Sequence, residues 1–409
     1  MKKFRVDTNW AIALNFYMAC VLGLCPLVYD RKRHVLRLSM TRSWLGLAIY
    51  GTAIALLIPL GYIASKRMEM VEMAIKDFAS IIEAINGNIK VLSSIVSLVI
   101  FFKNRNNFAH CFNEILKLNR TTFKVYDKDA KIEKWFLWMI LTKMAVGTLI
   151  AIVNTGMFFI NFRKRSLIIL GIFFCQCGTF AFQQFSVYFF YIAVGFVCKF
   201  YKMTNTQLFE VYEQYKTISK LDKLKGMTKE TCCVLSDRID EIGTLYKDLF
   251  YLHNFLKQVY DVQVLSILTT SFCTNVSFSF ATYTLFSGET INTKAITIYV
   301  GATVLSFIDT YLTSAVCAAN AMFFKEAKHI LGVFASIKSL DIRFDRTIER
   351  TTFQLEKHSI SYQLCGLLEI NQKTSFMFLS ASLTCFIILA QFDYKYGNVD
   401  LRKYLEKYQ

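Results

Sequence analysis

The chain has 409 residues, 54% of them hydrophobic, with 38 Phe, 21 Tyr and only 2 Pro, and its mean hydropathy is +0.37. That balance excludes a disordered chain and an ordinary soluble domain, and it fits a polytopic membrane protein. The formal net charge of +17 does not point to nucleic acid, because Lys and Arg lie mainly in segments between apolar runs, where basic residues flank membranes.

In chain order, Trp10 to Tyr29 is apolar enough to resemble a span, but Lys2, Lys3 and Arg5 precede it and Asp30-Arg-Lys-Arg33 follows. Crossing would place one basic cluster outside, so an in-plane helix in the cytoplasmic interface is expected. Cys25-Pro26 is a poor cleavage site, which argues against a signal peptide. Spans are then expected at 44–64, 78–102, 135–159, 167–197, 262–286, 295–324 and 376–392, in one membrane unit over 1–409. The first half of the second span carries Glu83, Asn86, Asn88 and Lys90, which suits a cavity or a partner helix better than lipid. Residues 103–134 read as a charged connector. The short link at 161–166 forces an antiparallel helical hairpin. Residues 198–261 alternate charge with apolar positions, which predicts helices that continue the fourth and fifth spans into water.

The charged stretch 325–357 leads to the final element. A single helix from Ser359 to Phe392 would be about 51 Å long, too long for one crossing, and Glu369 to Ser375 is polar. A break there separates a cytoplasmic-side helix from the spanning one. The fold class expected is an all-α membrane protein of seven transmembrane helices, with an additional N-terminal in-plane helix. Segments on one side of the membrane (before the first span, then 103–134, 198–261 and 325–358) are long and those on the other are short. Lys and Arg are more numerous on the long side but slightly denser on the short side, so charge alone does not orient the chain.

The last run, Phe376 to Phe392, makes a helix of roughly 25 Å, just able to cross. Within it Met377, Ser380, Thr384, Ile388 and Gln391 fall on one face at spacings of three and four. Such a stripe serves helix packing or lines water.

The ending Thr384-Cys-Phe-Ile-Ile-Leu-Ala-Gln391-Phe392 resembles the signature that closes the last helix of insect gustatory receptors: threonine-tyrosine, five apolar residues, glutamine-phenylalanine. Cys385 stands at the tyrosine position. Cys365-Gly366-Leu367 followed by Glu369-Ile370-Asn371 resembles the segment before that helix in the same family. The resemblance implies a tetrameric, ligand-gated cation channel in the plasma membrane, built as a homotetramer or with related subunits, with the N-terminus cytoplasmic, the C-terminus extracellular, and the last helices lining a central pore. It also implies Gln391 at the outer pore mouth, Ile388 one turn below as a hydrophobic gate, and Thr384 deeper on the same face. The ligand implied is a small-molecule tastant of the bitter or aversive kind, since the likeness is to the broad divergent group and not the sugar-sensing branch.

Chemistry elsewhere is sparse. The sequence has no GxSxG, HExxH, P-loop or GxGxxG, and its 12 cysteines form no CxxC pair, so neither catalysis, a metal site nor a cofactor is expected. The sequons at Asn119 and Asn275 fall in a cytoplasmic connector and within a span, where they stay unmodified. Asp309 sits mid-span in the apolar sixth helix, where a carboxylate is costly. It is either a ligand-pocket acid or the partner of another helix, Lys143 being one choice. Glu83, Asn86, Gln176, Gln183, Tyr283 and Tyr299 combine polar handles with aromatic surface in the outer half of the spans, as small-molecule sites require; helix packing is the alternative for each. Two other classes compete with the channel. A G protein-coupled receptor would need the opposite orientation and its DRY and NPxxY motifs, which are missing, and a secondary transporter would need helix breaks and inverted repeats.

Overall fold

The computed structural model describes residues 27–30, 35–69, 78–123, 130–161, 167–220, 225–287, 293–337 and 340–396. It begins with an antiparallel hairpin, β1 (Leu27–Asp30) and β2 (Val35–Leu38), pairing Leu27 with Leu38 and Tyr29 with Leu36. Alternation decides the fold here: Leu27 and Leu36 are buried while Val28 and Arg37 on the opposite face are exposed. The expected in-plane helix is therefore corrected at its end, since Leu27 to Tyr29 are extended; the rest of Trp10–Tyr29 lies outside the described residues.

Nine helices follow among the described residues: α1 (Met40–Glu69), α2 (Phe78–Lys103), α3 (Arg105–Thr121), α4 (Ala130–Asn161), α5 (Leu167–Lys220), α6 (Lys225–Ser287), α7 (Thr293–Phe334), α8 (Ile342–Glu356) and α9 (Gln372–Tyr396). Seven of them are long and apolar enough to cross a membrane, and each of the seven expected spans falls within one. The connector 103–134, expected as charged linker, contains α3. That helix buries Phe108, Ala109, Cys111, Ile115 and Leu118, one apolar stripe on a charged background. Asn113 on α3 holds the hairpin at one residue of β2: its Oδ1 accepts the Leu36 N–H at 2.7 Å, and its Nδ2 donates to the Leu36 carbonyl at 2.9 Å.

Helices α5 and α6 have 54 and 63 residues, roughly 80 and 95 Å of helix, so more than half of each lies outside a ~30 Å hydrocarbon core. The continuation of the fourth and fifth spans beyond the membrane is thus built as two unbroken rods. Helix α5 is the central one, its most apolar stretch 78% buried. It approaches α4 closely at Gly195, where a Cβ would overlap the Met139 Cε. Beyond the spans, α8 clips α5 to α6. Its Phe344 ring stacks on Tyr215 at 4.2 Å, Asp341 caps its first turn by accepting the N–H groups of Arg343 and Phe344, and Arg343 and Arg350 pair with Asp237 and Asp240 of α6.

Between α8 and α9 the chain forms a second hairpin, β3 (Gln363–Leu364) and β4 (Leu368–Glu369). It replaces the helix expected from Ser359 up to the break; the separate helix is α8, further upstream. Cys365 and Gly366 adopt φ of 49° and 69°, and two consecutive left-handed residues end any helix. The break itself sits at Asn371, whose Oδ1 accepts the Thr374 N–H at 2.9 Å and starts α9.

Candidate pore face and ligand site

Helix α9 leans on its own chain by one face only. Phe378 meets Phe272 of α6 at 5.3 Å, Phe386 meets Tyr283 of α6 at 6.4 Å, and Ser375 and Ser382 are buried along the same line. The opposite face carries Met377, Ser380, Thr384, Ile388 and Gln391, all exposed. Its centre is a shallow concavity lined by Met377, Ser380, Ala381, Thr384 and Cys385. Only 11% of the apolar stretch of this helix is buried, so in contrast to α5 it is a span whose main surface the single chain leaves uncovered. Thr384, Ile388 and Gln391 are thus brought together on one open stripe.

The remaining candidates divide into separate clusters. Lys143 of α4 is buried, and its Nζ donates to the Asp309 carboxylate at 2.6 Å, to the Asp309 carbonyl at 3.0 Å and to Thr313 Oγ1 at 2.9 Å. It lies 5.4 Å from the centre of the Tyr191 ring. Asp309 therefore has its counter-ion on a neighbouring helix. Tyr299 is buried nearer the start of α7, edge-on to Phe278 of α6 at 5.7 Å, with Ala302, Val153 and Leu285 around it. This aromatic and aliphatic nest is walled by α4, α6 and α7.

A polar seam joins α2, α5 and α6. Asn86 accepts from Thr274 at 3.2 Å, Gln183 donates to Ser94 at 2.9 Å and to the Lys90 carbonyl at 3.3 Å, and Ser93 donates to the Ser266 carbonyl at 3.1 Å. The polar half of the second span thus meets partner helices. Tyr283 reaches α9, and Gln176 is exposed, its carbonyl accepting from Thr179. Glu83 lies in α2, its side chain outside the described residues.

Sequence reasoning misses Phe278 and Asn275. Phe278 carries no polar signal; Asn275 reads in the sequence only as a sequon, yet it is fully buried and neither of its amide atoms is hydrogen-bonded. Among the described residues no group of His, Cys, Asp and Glu could hold a metal ion.

The chain is similar over most of its length to chemoreceptors. It is 24% identical over 397 residues to the gustatory receptor for bitter taste 22e of Drosophila melanogaster, covering 92% of this chain and 94% of that one. It is 22% identical to the putative gustatory receptor 36a of the same fly, covering 69% and 74%. The fold matches that of the olfactory receptor OR5 from Machilis hrabei, solved with eugenol, with a TM-score of 0.62 at 13% identity over 94% of this chain and 98% of that one. The model of the 7tm chemosensory receptor family matches residues 12–396, and with seven apolar helices in that fold the chain belongs to this family of multi-pass membrane receptors.

Proposed function

We propose that the chain is a subunit of a tetrameric cation channel of the plasma membrane, opened by a small-molecule tastant of the bitter or aversive class, with its N-terminus cytoplasmic and its C-terminus extracellular. The observation that carries this reading is the bare stripe of α9. Lipid could cover Met377, Ile388 and Thr384, whose hydroxyl donates to the Ser380 carbonyl, but the Gln391 amide is costly against hydrocarbon. Four copies about an axis, identical or from related subunits, would turn that stripe to a common water-filled lumen. Lipid then meets only the outer helices. The Ile388 side chains form the narrow apolar ring, which excludes ions by dewetting when closed, and the Gln391 amides form the mouth above it. The Drosophila relative named for bitter taste supports the ligand class.

For the ligand, the nest around Tyr299 offers aromatic and aliphatic walls, a fit for a compact aromatic or aliphatic compound, while the Lys143–Asp309 ion pair ties α4 to α7 beyond it. The α2 seam with Asn86 and Gln183 is the alternative lining. Tyr283 touches Phe386, so α6 links the ligand region to the pore helix.

The test is a pair of substitutions recorded in cells with matched surface expression. Ile388→Ser raises ligand-independent current severalfold because it wets the ring. Gln391→Arg reduces cation current because it sets four positive charges at the mouth. Unchanged basal current and unchanged permeability in both variants would mean that α9 does not line the pore.

A further inference from the structure

We infer that the groove between α1 and α2, at the end of the molecule from which α5 and α6 project, binds the headgroup of an anionic glycerophospholipid. Arg42 and Ser43 of α1 line its mouth, and Arg105 of α3 reaches the same turn. Arg105 Nη1 donates to Ser43 Oγ at 3.2 Å and its guanidinium lies 4.3 Å from the Phe102 ring centre. Arg42, the residue before Ser43, donates to the Leu27 carbonyl at 3.4 Å, a long bond. Neither arginine has a carboxylate partner among the described residues. Asp30 of the adjacent hairpin is held by Arg37 at 3.3 Å. Two arginines anchored at neighbouring points of the first turn of α1, neither paired with a carboxylate, leave positive charge unbalanced there, and a guanidinium fork suits a phosphate.

The wall below the arginines is apolar, made by Leu47, Tyr50, Leu98, Phe101 and Phe182. On either side the outer surfaces of α1 and α2 present Trp44, Leu45 and Val99, each more than half exposed. Trp44 packs on Phe102 at 5.2 Å, as aromatic residues do at headgroup level. A phosphate at Arg42 and Arg105 would therefore lay its acyl chain against the exposed Trp44, Leu45 and Val99 beside the groove, whereas a free anion would gain nothing from that apolar surface. Charge and surface together select a lipid. This end of the molecule faces the cytoplasmic leaflet in the orientation proposed above, where anionic lipids are concentrated.

The test uses the purified full-length chain in neutral detergent, titrated with dioctanoyl phosphatidylserine, dioctanoyl phosphatidylcholine, glycerophosphoserine or inorganic phosphate. Binding is read by native mass spectrometry and by the shift in melting temperature. Phosphatidylserine should bind preferentially, and the two water-soluble anions should neither bind nor displace it at equal concentration. Arg42→Gln should weaken phosphatidylserine binding about fivefold, the equivalent of about 1 kcal/mol for one interfacial cation, and Arg42→Gln/Arg105→Gln should weaken it by roughly the square of that factor. Lys247→Gln, on the exposed part of α6 outside the membrane, should leave it unchanged. If the double variant fails to fold because Arg105 ties α3 to α1, the exposed Arg42→Gln carries the test alone. Equal binding of the two lipids, wild-type affinity in Arg42→Gln, an equal loss in Lys247→Gln, or displacement by inorganic phosphate would each overturn the proposal.

Discussion

Asp309 is visible in the sequence as an acid inside an apolar run, and Lys143 as a base inside another; their pairing becomes definite only when α4 and α7 are packed together. A buried ion pair is broken at higher cost than it is removed, because a single deletion leaves one charge without a partner. Asp309→Asn should therefore destabilise the solubilised protein by about 3–5 kcal/mol and lower its surface level, and Lys143→Met/Asp309→Leu should recover most of that loss. Measuring melting temperature and surface labelling of the three chains checks this. A stable, well-expressed Asp309→Asn chain that loses only its agonist response would instead place the carboxylate in the ligand site. His253 gives a second test. It lies outside the span 262–286, is buried, packs edge-on to Tyr362 at 4.4 Å, and burial pulls its pKa down to about 4, with Lys257 acting the same way and the Ser361 backbone opposing. The folded state thus refuses a proton that the unfolded chain takes up near 6.5, so stability falls as pH drops from about 6.5 to about 4 and levels off below, by about 3 kcal/mol in all. His253→Gln should flatten melting temperature against pH in that window; an unchanged profile would show that carboxylates alone govern it.

Among the elements, legibility followed the length of the apolar run. The spans, and the rods made by the fourth and fifth of them, could be read because some 17 or more residues keep one character, whereas α3 and the two hairpins are short and depend on what they dock against. Apolar content is no guide at the second hairpin: Ser359–Asn371 has enough apolar residues for a helix, and only the Cys365-Gly366 pair marks the turn. That turn supplies a prediction. Gly366 has φ of +69° with open space around its Cα, so Gly366→Val introduces backbone strain without a clash and should cost about 1–2 kcal/mol. Cys365→Asn should be neutral or mildly stabilising, because Asn tolerates the left-handed region better. Melting temperatures of the two variants decide it. Equal behaviour in both would mean that the turn conformation contributes nothing to holding α9 against α6.

For the whole molecule, parity is the strongest constraint on topology. Seven crossings put the two ends of the spanning region on opposite sides, and the wet extensions of α5 and α6, clipped by α8, all project from the end where α1 begins. The α9 stripe was legible as a pattern, but its meaning was not: whether Ser380, Thr384 and Gln391 pack or line water depends on which surfaces other helices cover, and the single chain covers the opposite face. Orientation was the least legible property, since the short side is as basic per residue as the long side and Arg163-Lys-Arg165 opposes the cytoplasmic placement of the extensions. It can be decided directly. A tag after Gln409 should be labelled in intact cells, and a tag before Met1 only after permeabilisation. Reversed labelling would invert the orientation and move Gln391 to the inner side of the proposed pore, while both tags on one side would remove one of the seven crossings.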